Sequence, residues 1–176
     1  LDEAYNEYLD AGQQYESVAW VRKYPNLMVS RTFSKAYGLA GLRVGYGVAQ
    51  PQLTDLLNRV RQPFNVNSLA QAAAVAALDD TAFLQRSAEL NRQGKARLVE
   101  AFERSGLEYV KSSGNFVMVR VGGDDGAGAR VNLALLKQGV IVRPVANYGL
   151  PQWLRVTIGL PEENDAFIAA LEQALK

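Results

Sequence analysis

Lys35 lies in a segment whose residue types suit the capture of an aldehyde that carries a phosphate group. A lysine followed by small residues can be partly desolvated, and desolvation with a nearby cation favours the neutral amine that attacks an aldehyde carbon. The hydroxyls of Thr32 and Ser34 and the guanidinium of Arg43 are suitable donors to a phosphate. From the spacing alone a surface turn is the better explanation, since most lysines beside glycines are found in such turns.

Asp2 and Tyr5 form a second group, suited to holding an aromatic nitrogen heterocycle. An aspartate at a strand end can make a charge-assisted hydrogen bond to a protonated pyridine nitrogen, and that protonation makes the ring an electron sink. The following tyrosine can donate to a phenolate oxygen on the same ring. Taken alone, the pair is better explained as an acidic turn with a surface tyrosine, so it gains weight only together with Lys35.

Arg155 stands in an otherwise apolar, strand-like segment. An arginine among buried neighbours requires an anion, and a carboxylate matches its two-pronged guanidinium. The alternation of Arg155 with Leu154 and Val156 is equally consistent with a solvent-facing strand position. Arg143 is a weaker candidate of the same kind, and Arg31 is weaker still.

The composition excludes several other kinds of chemistry. The chain has 176 residues, no cysteine and no histidine. Thiolate metal sites, cysteine nucleophiles, Ser-His-Asp hydrolysis and HExxH zinc chemistry are therefore impossible within it, and no metal site is predicted. The formal net charge is +1 with the two signs interspersed. Because there is no basic stripe and no long apolar run, neither nucleic acid nor a membrane is an expected partner.

The hydrophobic pattern predicts an α/β layer followed by a small α+β lobe. Strands are expected over residues 26–33 and 43–49, followed by helices that start at Pro51 and Ser68 and one that runs from about 81 to 104. In the second half, strands are predicted over 107–110, 116–121, 140–143 and 154–158. Helices are predicted over 129–138 and from 161 onward. A helix–helix junction near residue 80 is the predicted domain boundary.

Four segments together match the motifs of one protein family. They are Asp2-Glu3-Ala4-Tyr5, Thr32-Phe33-Ser34-Lys35 with Gly41-Leu42-Arg43-Val44-Gly45-Tyr46, Ser113-Gly114-Asn115-Phe116, and Leu154-Arg155-Val156-Thr157-Ile158-Gly159. On these segments the chain resembles the fold-type I pyridoxal-phosphate enzymes of the aspartate aminotransferase superfamily. More narrowly, it is similar to the histidinol-phosphate aminotransferases. The lysine and arginine segments are specific to the superfamily, and the resemblance spans essentially the whole chain.

The resemblance implies how the chain would hold pyridoxal 5′-phosphate. Lys35 is expected to form the Schiff base with the cofactor and then to move a proton between the substrate Cα and the cofactor C4′. Asp2 is expected to pair with the pyridinium nitrogen, and Tyr5 with the 3′ oxygen of the ring. The phosphate would be held by Ser34, Arg43 and, less securely, Thr32.

The resemblance also implies a ping-pong transamination of histidine biosynthesis. It converts histidinol phosphate and 2-oxoglutarate to imidazole-acetol phosphate and glutamate. Arg155 is expected to bind the α-carboxylate of the amino acid, with assistance from Arg143. Histidinol phosphate has no carboxylate, so Arg155 would meet its phosphate instead. Both anions accept the same guanidinium fork.

The implied fold is the C-terminal part of the aspartate aminotransferase fold. Residues 1–80 would be the end of the large pyridoxal-phosphate-binding α/β/α domain, and 81–176 the small α+β domain. The N-terminal half of the family is expected to be missing, so the chain is expected to be inactive alone. A homodimer of the full-length protein and a cytoplasmic location are further expectations.

Other interpretations of the same residues stay open. A threonine-phosphate decarboxylase of this fold would use the same lysine, and aromatic or aspartate aminotransferases are further rivals. A transcriptional regulator with an aminotransferase-like sensor domain belongs to a different class of protein. A cofactor-free domain, in which Lys35 is only a turn residue, is the last alternative.

Overall fold

The chain divides into two units within a long helix. The computed structural model describes residues 1–176 and separates them into Leu1–Ala88 and Glu89–Lys176. The division lies inside the helix Thr81–Arg104. The domain boundary expected near residue 80 immediately precedes this helix and stays a prediction.

The first unit contains a two-stranded antiparallel sheet and several helices. Its elements are α1 (Ser17–Lys23), β1 (Met28–Thr32), β2 (Gly45–Ala49), α2 (Pro51–Val60), α3 (Ser68–Asp79) and the first part of α4 (Thr81–Arg104). β1 pairs with β2 along its whole length. Asp2 adds a single parallel bridge to Ser30 of β1. The helices and strands predicted for this half are present, whereas α1 was not predicted.

Local sequence signals explain where the helices of this unit begin. Pro51 occupies the first turn of α2, where its missing N–H is not needed. Asn67 caps α3, because its side-chain oxygen accepts a hydrogen bond from the backbone N–H of Ala70 at 2.8 Å. A cap of this kind contributes about 1 kcal/mol to helix stability.

The prediction that β2 begins at Arg43 is wrong. Arg43 has left-handed backbone angles, φ 52° and ψ 50°, and follows a short 3₁₀ turn at Ala40–Leu42. Residues with these angles cannot continue an extended strand, so β2 starts at Gly45. The segment between β1 and β2 is therefore a shaped turn.

The second unit is a four-stranded antiparallel sheet with helices. Its elements are the remainder of α4, β3 (Tyr109–Val110), β4 (Phe116–Arg120), α5 (Ala127–Lys137), β5 (Arg143–Val145), β6 (Leu150–Thr157) and α6 (Pro161–Ala174). The strand order is β3-β4-β6-β5. This arrangement confirms the small α+β lobe that the hydrophobic pattern predicts.

The core of the second unit lies between the helices and one face of the sheet. Phe102 of α4 and Leu154 of β6 are fully buried in it, and the ring of Phe102 meets that of Phe167 edge to face at 6.2 Å. Burying a leucine or phenylalanine side chain contributes about 1.5–3 kcal/mol. The core therefore fixes β6, and with it the position of the arginine that follows Leu154.

The strand predicted over residues 140–143 is wrong in its position. β5 begins only at Arg143, and the preceding residues have no strand pairing. The cause is the end of α5: Gly139 has a φ of 79°, and the N–H of Val140 donates to the carbonyl of Leu135. Val140 and Val142 pack against the core instead of extending the sheet.

None of the helices is both long enough and apolar enough to cross a membrane.

Candidate functional site

An open cleft in the first unit collects most of the residues that the sequence analysis singled out. Its volume is about 370 Å³. The lining residues are Asp2, Ala4, Ser30, Arg31, Thr32, Ser34, Lys35 and Arg43. Residues from two distant parts of the chain therefore face one space, because Asp2 is bridged to β1.

The turn after β1 presents Lys35 while burying the residues on either side of it. Phe33 and Ala36 are 4% and 1% exposed. The N–H of Phe33 donates to the carbonyl of Val44 at 3.1 Å, and the N–H of Gly38 donates to the carbonyl of Lys35 at 2.9 Å. These contacts hold the backbone of Lys35 and leave its side chain exposed.

Partial desolvation of Lys35 was expected, and for this chain the expectation is wrong. The side chain is exposed on the open side of the cleft. Its ammonium group lies 5.6 Å from the centroid of the Tyr5 ring, which is within cation–π distance. Tyr5 is thereby placed beside Lys35, as the predicted site requires.

Ser34 and Arg43 form a hydrogen-bonded pair at the cleft. The Nη1 of Arg43 donates to the Ser34 hydroxyl at 3.3 Å and to the carbonyl of Ala40 at 2.8 Å. The left-handed backbone of Arg43 aims its side chain back toward the turn. The Thr32 hydroxyl accepts from the backbone N–H of Ser34 at 3.1 Å, so it shapes the same turn. A cation and two hydroxyls at one spot suit a phosphate.

Asp2 is held at the cleft by backbone pairing with β1. The N–H of Glu3 donates to the carbonyl of Ser30 at 2.9 Å, and the N–H of Ser30 donates to the carbonyl of Leu1 at 2.9 Å. The Asp2 carboxylate is exposed and accepts the backbone N–H of Ala4 at 3.0 Å. It retains acceptor capacity for a ligand in the cleft.

Arg155 belongs to the second unit and is described there by itself. Its neighbours Leu154 and Val156 are buried in the core, whereas Arg155 lies on the opposite face of β6 and is half-buried. Its guanidinium lies 5.0 Å from the centroid of the Phe116 ring. Its buried Nε has no hydrogen-bond partner. A buried donor without a partner is costly, and an anion bound at this position would offset that cost.

Arg143 stands directly opposite Arg155 in the pairing of β5 with β6. It is exposed, and its Nη2 donates to the Tyr148 hydroxyl at 3.5 Å. Two guanidinium groups therefore point from the same face of the sheet. This is a suitable arrangement for an anion with several oxygen atoms.

An ion pair between Glu3 and Arg31 beside the cleft was not predicted from the sequence. The Nε of Arg31 donates to Oε2 of Glu3 at 2.8 Å, and the Glu3 side chain is fully buried. Burial acts to lower the pKa of Arg31, but hydrogen bonds to Glu3 and to Tyr46 raise it above its ordinary value. The only signal in the sequence was an arginine in an apolar strand, which indicated an external anion.

Comparison with known proteins identifies the class. The profile of the aminotransferase class I and II family matches residues 1–171, so the chain belongs to this family. Among its relatives is histidinol-phosphate aminotransferase 1 of Cupriavidus pinatubonensis, which is 84% identical over the whole chain. Histidinol-phosphate aminotransferase 2 of Ralstonia nicotianae is 81% identical over 99% of the chain. In both cases the match covers 47% of the relative.

A solved structure supports the same relationship. The histidinol-phosphate aminotransferase of Sinorhizobium meliloti, in complex with pyridoxal-5′-phosphate, superimposes with a TM-score of 0.90 at 31% identity. The match covers 99% of this chain and 48% of that structure. The predicted α/β fold and family resemblance are therefore confirmed. The chain spans about half the length of the relatives that it matches.

Proposed function

We propose that the protein to which this chain belongs is a pyridoxal-phosphate-dependent aminotransferase that acts on histidinol phosphate. The observation that carries the proposal is the cleft that brings Asp2, Ser34, Lys35 and Arg43 together. The names of the relatives that are 84% and 81% identical support the substrate. They favour transamination over the decarboxylase and regulator alternatives.

The residues present fit pyridoxal phosphate. Ser34 and Arg43 provide a hydroxyl and a cation for its phosphate, Lys35 provides an amine for its aldehyde, and Asp2 provides a carboxylate for its ring nitrogen. When bound, the cofactor supplies an electron sink that stabilises negative charge at the substrate Cα.

The chain's own residues would bind, orient and transfer protons. Asp2 would hold the proton on the ring nitrogen through a charge-assisted hydrogen bond. Tyr5, whose ring lies beside the Lys35 ammonium, would donate to the 3′ oxygen. The Lys35 amine would take the proton from the substrate Cα and return it to the C4′ position.

Arg155 and Arg143 would bind the anionic group of each substrate. The partnerless Nε of Arg155 and the adjacent guanidinium of Arg143 suit the carboxylate of glutamate and the phosphate of histidinol phosphate in turn. One pair of cations would thus serve both halves of a ping-pong reaction.

The remaining half of the polypeptide would complete the site. Lys35 is exposed in an open cleft, so further walls are needed to exclude water from it. We expect the chain to be inactive alone, and the full-length protein to be a cytoplasmic homodimer that acts on small molecules.

The test is borohydride reduction of the purified full-length protein, followed by peptide mass spectrometry. We expect a cofactor adduct on the peptide that contains Lys35 and none on the peptide that contains Lys23, which lies at the end of α1. The Lys35→Ala variant should give no adduct. An unmodified Lys35 peptide in the wild-type protein would refute the proposal.

The substrate is tested separately, by incubating the full-length enzyme with histidinol phosphate and 2-oxoglutarate or with threonine phosphate. We expect glutamate from the first mixture and no carbon dioxide from the second. Release of carbon dioxide without glutamate formation would identify a decarboxylase instead.

A further inference from the structure

Glu3 and Arg31 form a buried ion pair on the strand that carries the cleft. The two side chains meet at 2.8 Å, and their exposed fractions are 0% for Glu3 and 23% for Arg31. The Tyr15 hydroxyl also interacts with the Glu3 carboxylate. Arg31 is the cation that pairs with the charge of Glu3.

Each residue of the ion pair is adjacent in sequence to a proposed cofactor residue. Glu3 follows Asp2, and Arg31 precedes Thr32. Because side chains alternate along a strand, Glu3 and Arg31 lie on the face of the paired backbone opposite to Asp2 and Ser30. Arg31 nevertheless lines the cleft of Lys35, and it also lines a second cavity of about 470 Å³.

Other charged and titratable groups surround the pair. Glu7 and Tyr15 line the second cavity with Arg31, and the Tyr46 hydroxyl interacts with the Arg31 guanidinium. Tyr37 lies within the electrostatic reach of Arg31 and Glu7. Of these neighbours Glu7 alone has a carboxylate, and it has no direct ion pair with Arg31. Glu3 is thus the direct counter-ion of a cation that borders the cleft.

We propose that Glu3 is the internal counter-ion of Arg31 and cancels its positive charge at the cleft that Lys35 lines. The inference rests on the proposed function. An uncompensated Arg31 would place a positive charge at the cleft and disfavour a protonated nitrogen on Lys35.

The test measures the pH midpoint of the visible absorbance change of the full-length holoenzyme, which reports the protonation of the Lys35 nitrogen. Glu3→Gln leaves Arg31 charged, since a guanidinium does not deprotonate in proteins. We expect this variant to lower the midpoint by about half a pH unit. Arg31→Gln, which leaves no cation, should keep the midpoint at or above the wild-type value.

The double variant Glu3→Gln/Arg31→Gln separates electrostatics from loosened packing. Because it removes both charges, we expect it to restore the midpoint of the wild-type protein. The matched control is Asp55→Asn, which removes one partner of the exposed ion pair with Arg59 on α2 and should leave the midpoint unchanged.

An unchanged midpoint in Glu3→Gln, or a lowered one that the double variant does not restore, would overturn the inference. A lower midpoint in Arg31→Gln would also overturn the inference. This variant would decide the question if Glu3→Gln did not fold. These results differ from a failure of the proposed function, in which the wild-type protein itself would show no cofactor absorbance bound to Lys35. That result would remove both proposals.

Discussion

Arg143 and Arg155 are direct cross-strand partners in the antiparallel pairing of β5 with β6. Like charges directly opposite each other destabilise a sheet. Neither guanidinium is paired with a carboxylate: Arg143 meets the Tyr148 hydroxyl, and Arg155 stacks on Phe116 with its Nε unsatisfied. An anion bound by the two guanidinium groups would offset this cost.

Replacement of Arg155 by methionine should impair catalysis by the full-length enzyme. Hydrogen bonds to charged groups contribute about 1.5–3 kcal/mol, so we expect kcat/KM to fall by roughly 10- to 100-fold for both glutamate and histidinol phosphate. Steady-state kinetics with each substrate would measure the effect. Arg120→Met is the matched control, since Arg120 lies on the neighbouring strand β4 in an exposed ion pair with Glu108. An equal loss in both variants would contradict the role of Arg155.

The same Arg155→Met variant should not lose stability. It removes a buried donor without a partner and relieves the repulsion with Arg143. We expect the free energy of unfolding of the ligand-free protein to be unchanged or raised by up to about 1 kcal/mol. Urea titration followed by circular dichroism would measure it. A clear destabilisation would mean that the arginine is mainly a structural residue.

Replacement of Gly45 by alanine should disturb the end of the sheet that carries the cleft. A Cβ at Gly45 would lie 2.7 Å from the backbone carbonyl oxygen of Arg31, which cannot move without shifting β1. We expect a loss of about 1–3 kcal/mol in the free energy of unfolding, with weaker cofactor binding.

Gly41→Ala is the control for this substitution, because a Cβ at Gly41 would meet no atom within 4 Å. Its effect should stay within about 0.5 kcal/mol. Thermal unfolding of the two variants in parallel would compare them, and equal midpoints would show that the close approach at Gly45 is unimportant.

Glu7 should make stability depend on pH. Burial raises the pKa of Glu7 above its ordinary value of 4.5, and the nearby Arg31 only partly opposes this. The folded state thus favours the protonated carboxyl. The free energy of unfolding of the wild-type protein therefore decreases as the pH rises above about 4.5. Glu7→Gln should match the wild type below that pH and become the more stable protein above it. Unfolding titrations from acidic to neutral pH would measure the difference, and a constant difference would contradict the prediction.

Local signals were sufficient to predict most helices and strands. Pro161 starts α6, and Gly106, with a φ of 65°, follows the end of α4. Such signals act through the backbone of a few neighbouring residues. The errors fell where distant contacts decide the conformation. Val140 is β-branched and apolar, yet its N–H is used by the end of α5.

In the cleft, too, features set by nearby residues were predictable and features set by distant contacts were not. The types of Lys35, Ser34 and Arg43 suggested an amine beside a phosphate site, since all three lie in one short segment. The burial of Glu3 against Arg31 was not predictable, because the two residues are 28 positions apart and meet only through the bridge of Asp2 to β1. The exposure of Lys35 was also not predictable, since it depends on what covers the turn.

The sequence by itself determined the family and the absence of histidine and cysteine chemistry, and it predicted the residues that would carry the proposed reaction. Those conclusions depend on residue type and spacing along the chain. Only the tertiary structure decided that Asp2 reaches the cleft of Lys35, that Arg31 has a buried counter-ion and that Arg143 faces Arg155. Strand pairing and burial bring distant residues together, and their electrostatic balance depends on those distances.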